Sequence, residues 1–379
     1  MSCLKDVSHY VQDKIDVSML KADDYITTDN MLPNRGGITI AEDLPKADRV
    51  TKYAPGDTLV SNIRPYFKKI WYADKVGGCS NDVIVFRAKP EICDSKFLYY
   101  VLLQDCFFDY MMSGANGTKM PRGNKKTIPD FVIPAFDIET QYRIASILSA
   151  YDDLIENNQK QIKLLEEAAR RLYKEWFVDL RFPGYETVKI VDGVPEGWSV
   201  RTMEDIADYL NGYAFKPSDW GEKGKPIIKI KELNEGVSTS TPRNTGNNVP
   251  SKYNITSGDI LFSWSATLTA MIWDDEDGLL NQHLFKVTPK DGIGKEFVLQ
   301  SILKTLDEFK NLTTGSTMKH IQRGKLKDVS VKLPDQNIMD LFTTIAEAYR
   351  KQILTLKRNN SLLNEARDRL IPKLMSGEI

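Results

Sequence analysis

The distribution of apolar positions along the chain changes character twice, and the changes come in the same order each time. From the start to about residue 131, and again from about 194 to 331, turn residues separate short apolar alternations such as Asp82-Val83-Ile84-Val85-Phe86 and His283-Leu284-Phe285-Lys286-Val287. Alternation of this kind predicts short, half-buried strands. Between them, Lys96 to Met112 carries Phe97, Tyr100, Val101, Phe107 and Phe108 at helical spacing, with a counterpart in Glu296 to Leu312. From Glu139 to Phe177 and from Gln336 to Met375 the pattern is different: no glycine, no proline except Pro372, and helix formers throughout. Tyr151, Asn158, Leu165 and Leu172 lie seven apart in the first stretch, and Tyr349, Leu356, Leu363 and Leu370 repeat the register in the second. That spacing predicts a coiled-coil seam. A helix of about 35 residues spans roughly 50 Å, enough to act as a spacer between globules.

The two halves are copies. Gly56-Asp57-Thr58-Leu59-Val60-Ser61 recurs as Gly258-Asp259-Ile260-Leu261-Phe262-Ser263, and Ile70-Trp71 as Ile272-Trp273, both at an offset of 202. Leu4-Lys5-Asp6-Val7 matches Met203-Glu204-Asp205-Ile206, Arg122-Gly123 matches Arg323-Gly324, Pro134 matches Pro334, and Leu164-Leu165 matches Leu362-Leu363. A period near 200 is far too long for a solenoid, so one whole domain and its helix are written twice. The expected architecture is mixed α/β (α+β): a globular domain over 1–135, a spacer helix over 136–180, a second globular domain over 181–334 and a second spacer over 335–379. The order globule, helix, globule, helix suits an antiparallel pair of helices and a pseudo-twofold repeat. In such a pair the polar Asn158 should fall opposite the stretch containing Leu356, Asn359 and Asn360, where it rewards a single register.

Composition narrows the function. With 41% hydrophobic and 27% charged residues the chain is globular, and 51 basic against 52 acidic residues give a net charge of −1. A balance so near neutral disfavours a stand-alone phosphate binder and places any nucleic-acid role on local patches or on partners. No apolar run is long enough to span a membrane and the N-terminus has no signal-peptide order, so a cytoplasmic location is expected. Cys3, Cys79, Cys93 and Cys106 include no C-x-x-C pair and read as free thiols. Gly224-Lys225, Gly294-Lys295 and Gly324-Lys325 are not followed by the Ser or Thr of a phosphate-binding loop, and His9, His283 and His320 are scattered. Nothing recommends a nucleotide, metal or catalytic site, so a stand-alone nuclease or methyltransferase is disfavoured.

The candidate chemistry is DNA contact. Lys119, Arg122, Lys125 and Lys126 surround Gly114-Ala115-Asn116-Gly117-Thr118, while Lys319, His320, Arg323, Lys325 and Lys327 follow Gly315-Ser316-Thr317. Glycine and hydroxyl residues let backbone approach phosphate, and Arg or Lys beyond them can neutralise phosphate or reach guanine edges. A solvated basic loop explains either cluster alone; recurrence in both copies favours the functional reading. A second segment, Asn62, Arg64, Tyr66, Lys68 and Lys69, interleaves charge with aromatics, whereas its counterpart Trp264-Ser265-Ala266-Thr267 is neutral. In the second copy Lys216, Lys229 and Lys231, with Tyr213, Phe215 and Asn234, form a weaker candidate.

With these residues in view the chain resembles, over essentially its whole length, the specificity subunit of type I restriction–modification enzymes. The resemblance is carried by Gly212-Tyr213-Ala214-Phe215-Lys216 leading to Pro226-Ile227-Ile228-Lys229-Ile230, by Gly258 to Ser263, by Leu280-Asn281-Gln282-His283-Leu284-Phe285-Lys286-Val287, by Gly315-Ser316-Thr317 through Ile321, and by both leucine-rich helices ending in Arg-Leu. It departs at Ser265-Ala266-Thr267-Leu268, which lacks the family's glycine after the serine, and at Ser80-Asn81-Asp82-Val83 in place of Asn-Gln-His-Leu. The resemblance implies a non-catalytic DNA-recognition subunit. Each target-recognition domain would read one half of a bipartite, asymmetric site in double-stranded DNA. The helices would set the gap and dock two methyltransferase subunits, which restriction and translocase subunits join. It implies no cofactor in this chain, with S-adenosylmethionine, ATP and Mg on the partner subunits. The competing reading is a coiled-coil scaffold that reads no DNA.

Overall fold

The computed structural model describes residues 2–115, 117, 119–265, 267–311 and 323–379. The chain forms two compact units, residues 1–158 with 359–379 and residues 159–358. Both are mixed helix and sheet, and the copies identified in the sequence are copies in topology.

In the first unit a four-stranded antiparallel sheet has the order Ser8–Tyr10, Val83–Ala88, Thr58–Ser61, Ile70–Tyr72; in the second the order is Ala207–Asn211, Leu284–Pro289, Ile260–Ser263, Thr269–Ile272. The registers agree: Val60 faces Ile84 and Ile70, and Phe262 faces Phe285 and Ala270. A smaller sheet in each unit holds one parallel pair, Tyr25–Ile26 against Gly78–Cys79 and Ile227–Ile228 against Leu279–Leu280. The copies differ at its edge. The first unit adds Lys14–Asp16 beside Arg49–Tyr53, and the second adds Arg243–Asn244 beside Lys225–Pro226. The strands predicted over 82–86 and 283–287 are those of Val83–Ala88 and Leu284–Pro289.

The Gly-Asp repeat is a structural turn. Gly56 and Gly258 have φ of 91° and 95°, a left-handed conformation that glycine alone adopts without strain. Each donates its N–H across the hairpin, to the Ala73 and Trp273 carbonyls. Asp57 and Asp259 then accept the N–H groups of Ala54 and Thr256, both at 2.8 Å. Asp57 is 1% exposed and bound by both Nε and an Nη of Arg87 at 2.7 Å, while Asp259 meets Lys286 at 2.8 Å. A buried carboxylate needs such a partner.

The helix expected over 96–112 is two helices, Ser95–Leu103 and Asp105–Ser113, broken at Gln104, whose ψ of 151° is extended. Its counterpart Lys295–Asn311 is continuous. The break has a tertiary cause that no breaker residue announces. Arg35 donates to the Leu103 carbonyl at 2.7 Å and to the Asp105 carboxylate, occupying groups that a continuous helix would use or crowd.

Two long helices, Ile138–Tyr173 and Gln336–Ser376, form where glycine is missing and the one proline, Pro372, lies in the last turns of the second. Asp137 and Asp335, one to three residues past Pro134 and Pro334, cap them by accepting the N–H groups of Thr140 and Ile338. The deepest line on the first helix is Leu148, Ile155, Ile162 and Ala169; Tyr151, Asn158, Leu165 and Leu172 form the half-buried flank of the same heptad pattern. On the second helix the buried line is Met339, Ala346 and Ile353, continued by Asn360, Arg367 and Leu374, with Tyr349, Leu356, Leu363 and Leu370 half-buried beside it. In the first unit the helix segments run antiparallel. The Asn158 amide donates to Asn360 Oδ1 at 2.8 Å, and Arg367 meets Asp152 at 2.6 Å. Asp152 in turn accepts the Tyr100 hydroxyl at 2.5 Å, tying the pair to the globule. In the second unit Tyr173 and Phe342 pack together instead, Tyr173 shares a hydrogen bond with Ser301, and Arg350 binds the buried Glu296 at 2.7 Å.

Each core fills the space between sheet, helices and long-helix ends. In the first unit Leu4, Val60, Phe86, Phe97 and Phe107 pack with Leu148 and Leu374; in the second Met203, Phe262, Phe285 and Phe297 pack with Trp176 and Phe342. Each fully buried phenylalanine contributes about 1.5–3 kcal/mol, so the long-helix ends are integral to each unit.

Candidate nucleic-acid interface

In the first unit three segments that are distant in sequence converge at one end of the larger sheet. Strand Thr58–Ser61 runs out into residues 62–69, and the Asn62 N–H donates to the Asp82 carbonyl at 2.8 Å. The basic segment after Met120 lies against it: Ile63 bridges Arg122, the Arg64 N–H donates to Pro121 at 2.7 Å, and Gly123 donates to Asn62 at 3.2 Å. Arg122 also pairs with Asp82 at 3.3 Å, and Lys125 donates to the Asn81 carbonyl at 3.0 Å. The departure Ser80-Asn81-Asp82-Val83 therefore supplies the acceptors that hold the basic loop in place.

The predicted side chains divide by what they touch. Lys119 and Lys126 are exposed and have no partner among the described residues, and Arg122 is more than half exposed despite its pairing. Tyr66 and Phe67 are exposed, with ring centroids 4.7 Å apart. Lys68 binds Asp105 at 2.8 Å, and Lys69 donates to the Thr28 carbonyl at 2.6 Å. The hydrogen bond from Lys68 holds Asp105 below the usual carboxylate range, with Arg35 adding to it, and partial burial lowers the Lys69 ammonium. Both lysines are thus engaged inside the fold. Arg64 is half-buried with Nε lacking a hydrogen-bond partner, and Asn62, 5% exposed, leaves Oδ1 unpaired.

Among the described residues, the equivalent end of the second unit is built from Trp264, Ser265, Gln282 and His283. Trp264 donates to Asn211 Oδ1 at 3.1 Å and packs on His283 and Phe285; Ser265 Oγ lies 3.4 Å from His283 Nδ1, and Gln282 lies 3.3 Å from its other ring nitrogen. The Gly212-Tyr213 motif closes on this segment. Tyr213 donates to the Leu280 carbonyl and accepts from Gln282, and a Cβ on Gly212 would stand 2.1 Å from the Asn281 carbonyl oxygen. Only glycine fits that approach. Lys216 and Lys231 are exposed, whereas Lys229 lies 3.8 Å from the Trp220 ring centre, its ammonium lowered by burial. Lys319 and His320 lie outside the described residues, as do the side chains of Arg323 and Lys325. Read from the sequence, His283 is one of three scattered histidines, and Gln282, Asn211 and Arg35 are not among the candidate site residues. Neighbouring positions in the Asn-Gln-His run carry the signal for the first, and Asn34-Arg35-Gly36-Gly37, a turn-forming run, for the last.

Two copies of one mixed fold, each joined to a long helix and carrying, among the described residues, loops of different chemistry at the same end of the larger sheet, define a duplicated two-domain protein. The model of the type I restriction modification DNA specificity domain matches residues 1–167 and again 195–363, and the chain belongs to that family. It is 26% identical to the type I restriction enzyme MjaIX specificity subunit of Methanocaldococcus jannaschii over 75% of this chain and 69% of that one. It is 24% identical to the HindI specificity subunit of Haemophilus influenzae over 99% and 98%. The crystal structure of a type I restriction–modification S subunit from M. genitalium shares the fold, with a TM-score of 0.53 at 15% identity, covering 99% of this chain and 95% of that one. No helix among the described residues is long and apolar enough to cross a membrane.

Proposed function

We propose that this chain is the DNA-reading subunit of a type I restriction–modification complex, each globular domain recognising one half of a bipartite, asymmetric site in duplex DNA. The observation that carries the reading is the pair of specificity domains with one sheet order and unlike loops at the same place: equal frames hold the domains alike, and unequal tips read different bases. The long helices set the gap between half-sites and dock two methyltransferase subunits, which restriction and translocase subunits join. Ile147 and Leu154 in the first unit and Leu164, Leu341 and Leu354 in the second remain exposed on these helices and suit that docking. The chain catalyses no reaction in this reading. S-adenosylmethionine, ATP and Mg belong to the partner subunits, which also supply much of the phosphate contact that a chain of net charge −1 lacks.

The test is selection from a randomised duplex library by the assembled complex, with methylation mapping of the host genome alongside. The expected result is a split motif, methylated on both strands, with a fixed gap. A complex that assembles yet enriches no sequence would leave only a bridging scaffold.

A further inference from the structure

The structure points to Tyr66 and Phe67 as a rigid aromatic knob that reads bases of the first half-site by apolar ring contact, with the lysines beside it holding the knob rather than touching DNA. The inference rests on the proposed DNA-reading role and narrows it to particular side chains.

Four observations converge. First, the knob is strained and clamped. Six non-glycine residues among those described adopt left-handed backbone, and four of them, Asn34, Arg35, Arg64 and Lys68, sit here. Arg64 and Lys68 flank the single turn Pro65–Phe67, and loop 33–36 grips it from the side, the Asn34 N–H donating to the Phe67 carbonyl at 2.8 Å and that of Arg35 to the Lys68 carbonyl at 3.0 Å. Non-glycine residues persist in this conformation where the surroundings over-determine it, and such strain gathers at recognition sites. Secondly, the charges under the knob are already spent: Lys68 and Arg35 converge on Asp105, and Lys69 is tied to Thr28. They fix the platform and leave the rings as what it presents.

Thirdly, Tyr66 and Phe67 are 47% and 38% exposed although their turn is fully ordered by hydrogen bonds. Two packed aromatic rings lose little entropy on binding and offer a large apolar surface. Fourthly, the surroundings fit duplex DNA as the occupant. Lys119, Arg122 and Lys126 stand exposed on the neighbouring loop, which is pinned to Ile63 and Arg64, and can meet phosphates. Asn62 Oδ1 and Arg64 Nε lie at the foot of the knob, buried without partners. An apolar tip ringed by cations, with unpaired polar atoms beneath, matches bases enclosed by phosphates. In the second unit the corresponding Trp264 is packed against His283 and Phe285, and among the described residues there is no such aromatic pair beside it.

The experiment uses the assembled complex and a randomised duplex library with Tyr66→Ala, Phe67→Ala and Tyr66→Phe. The two alanine variants should lower affinity for the wild-type site roughly 5- to 150-fold. They should relax one or two adjacent positions of one half-site and leave the other half-site and the gap intact. The retained half-site certifies that the chain has folded and assembled. Tyr66→Phe should keep the wild-type preference. Alanine variants that enrich the unaltered motif at unaltered affinity would overturn the inference while the DNA-reading role stands, as would a Tyr66→Phe variant as relaxed as Tyr66→Ala, which would move recognition to the hydroxyl. If the wild-type complex enriches no motif, the DNA-reading role itself fails.

Discussion

The Gly-Asp turns of the two units use the same hydrogen bonds, from the Gly56 and Gly258 amides to the hairpin partner and from the Ala54 and Thr256 amides to the aspartates. Five residues beyond each aspartate the units part company. One sheet end carries Asn62, Arg64 and an exposed aromatic pair under a basic loop, and the other carries Trp264 folded down on His283. The contrast shows where such a domain tolerates change. The turn is fixed by backbone geometry and a buried carboxylate, so substitutions there are felt in the fold. The exposed side chains at the tip, Tyr66 and Phe67, face solvent and each other, so they can be rewritten without disturbing the sheet.

That comparison can be broken most forcefully by exchange. Replacing residues 1–131 with the corresponding domain of a relative should change one half-site completely and leave the other as it was, as read by site selection; a change in both would end the modular picture. Next in size is the pair of aspartates. Asp57→Ala removes a 1%-exposed carboxylate and leaves Arg87 only its longer pairing with Asp13, and should destabilise the first unit by about 3 kcal/mol. Asp259→Ala, whose ion pair with Lys286 is about one-fifth exposed on both sides, should destabilise the second by about 1 kcal/mol. Hydrogen exchange of the central strands Thr58–Ser61 and Ile260–Ser263 measures both.

Smaller again is the helix pair. Asn158→Leu with Asn360→Leu removes both amides together, leaving neither unpaired, and should raise the melting temperature while allowing more than one register. Gap preferences that broaden in the selected sites would register the second effect. Lys126→Ala should weaken all sequences alike and flatten the salt slope by about one, with no change in motif, if it neutralises phosphate.

The smallest effect concerns Asp105. Its folded pKa lies below the ordinary value of about 3.9, so the stability it contributes is present above that pH and lost as pH falls through the folded value. Because the carboxylate is mostly exposed, Asp105→Asn should cost about 0.5 kcal/mol and make exchange of the Arg64, Phe67 and Lys68 amides faster at neutral pH, with the difference from wild type fading in acid.

The sequence by itself determined the duplication, because matching residues at offsets of 198 to 202 need no coordinates, and it determined the long helices, because glycine is missing, Pro372 is their one proline and apolar residues recur every seven positions. It also placed Asn158 opposite the stretch containing Leu356, Asn359 and Asn360, and Asn360 is the residue that meets it. Composition and spacing marked Arg64, Tyr66, Lys119 and Arg122 as candidates, and the fold brings their two loops together at Ile63 and Arg122. What only the tertiary structure decided is which charges are already engaged. Lys68 and Lys126 look alike in the sequence, yet one is bound to Asp105 and the other faces solvent. The same long-range contact from Arg35 breaks a helix that local propensity would have continued through Gln104. Periodicity and repeats are local or self-referential signals and survive in one dimension. The partner of a cation is set by chain crossings, and a side chain's chemistry does not name the carboxylate that will arrive beside it.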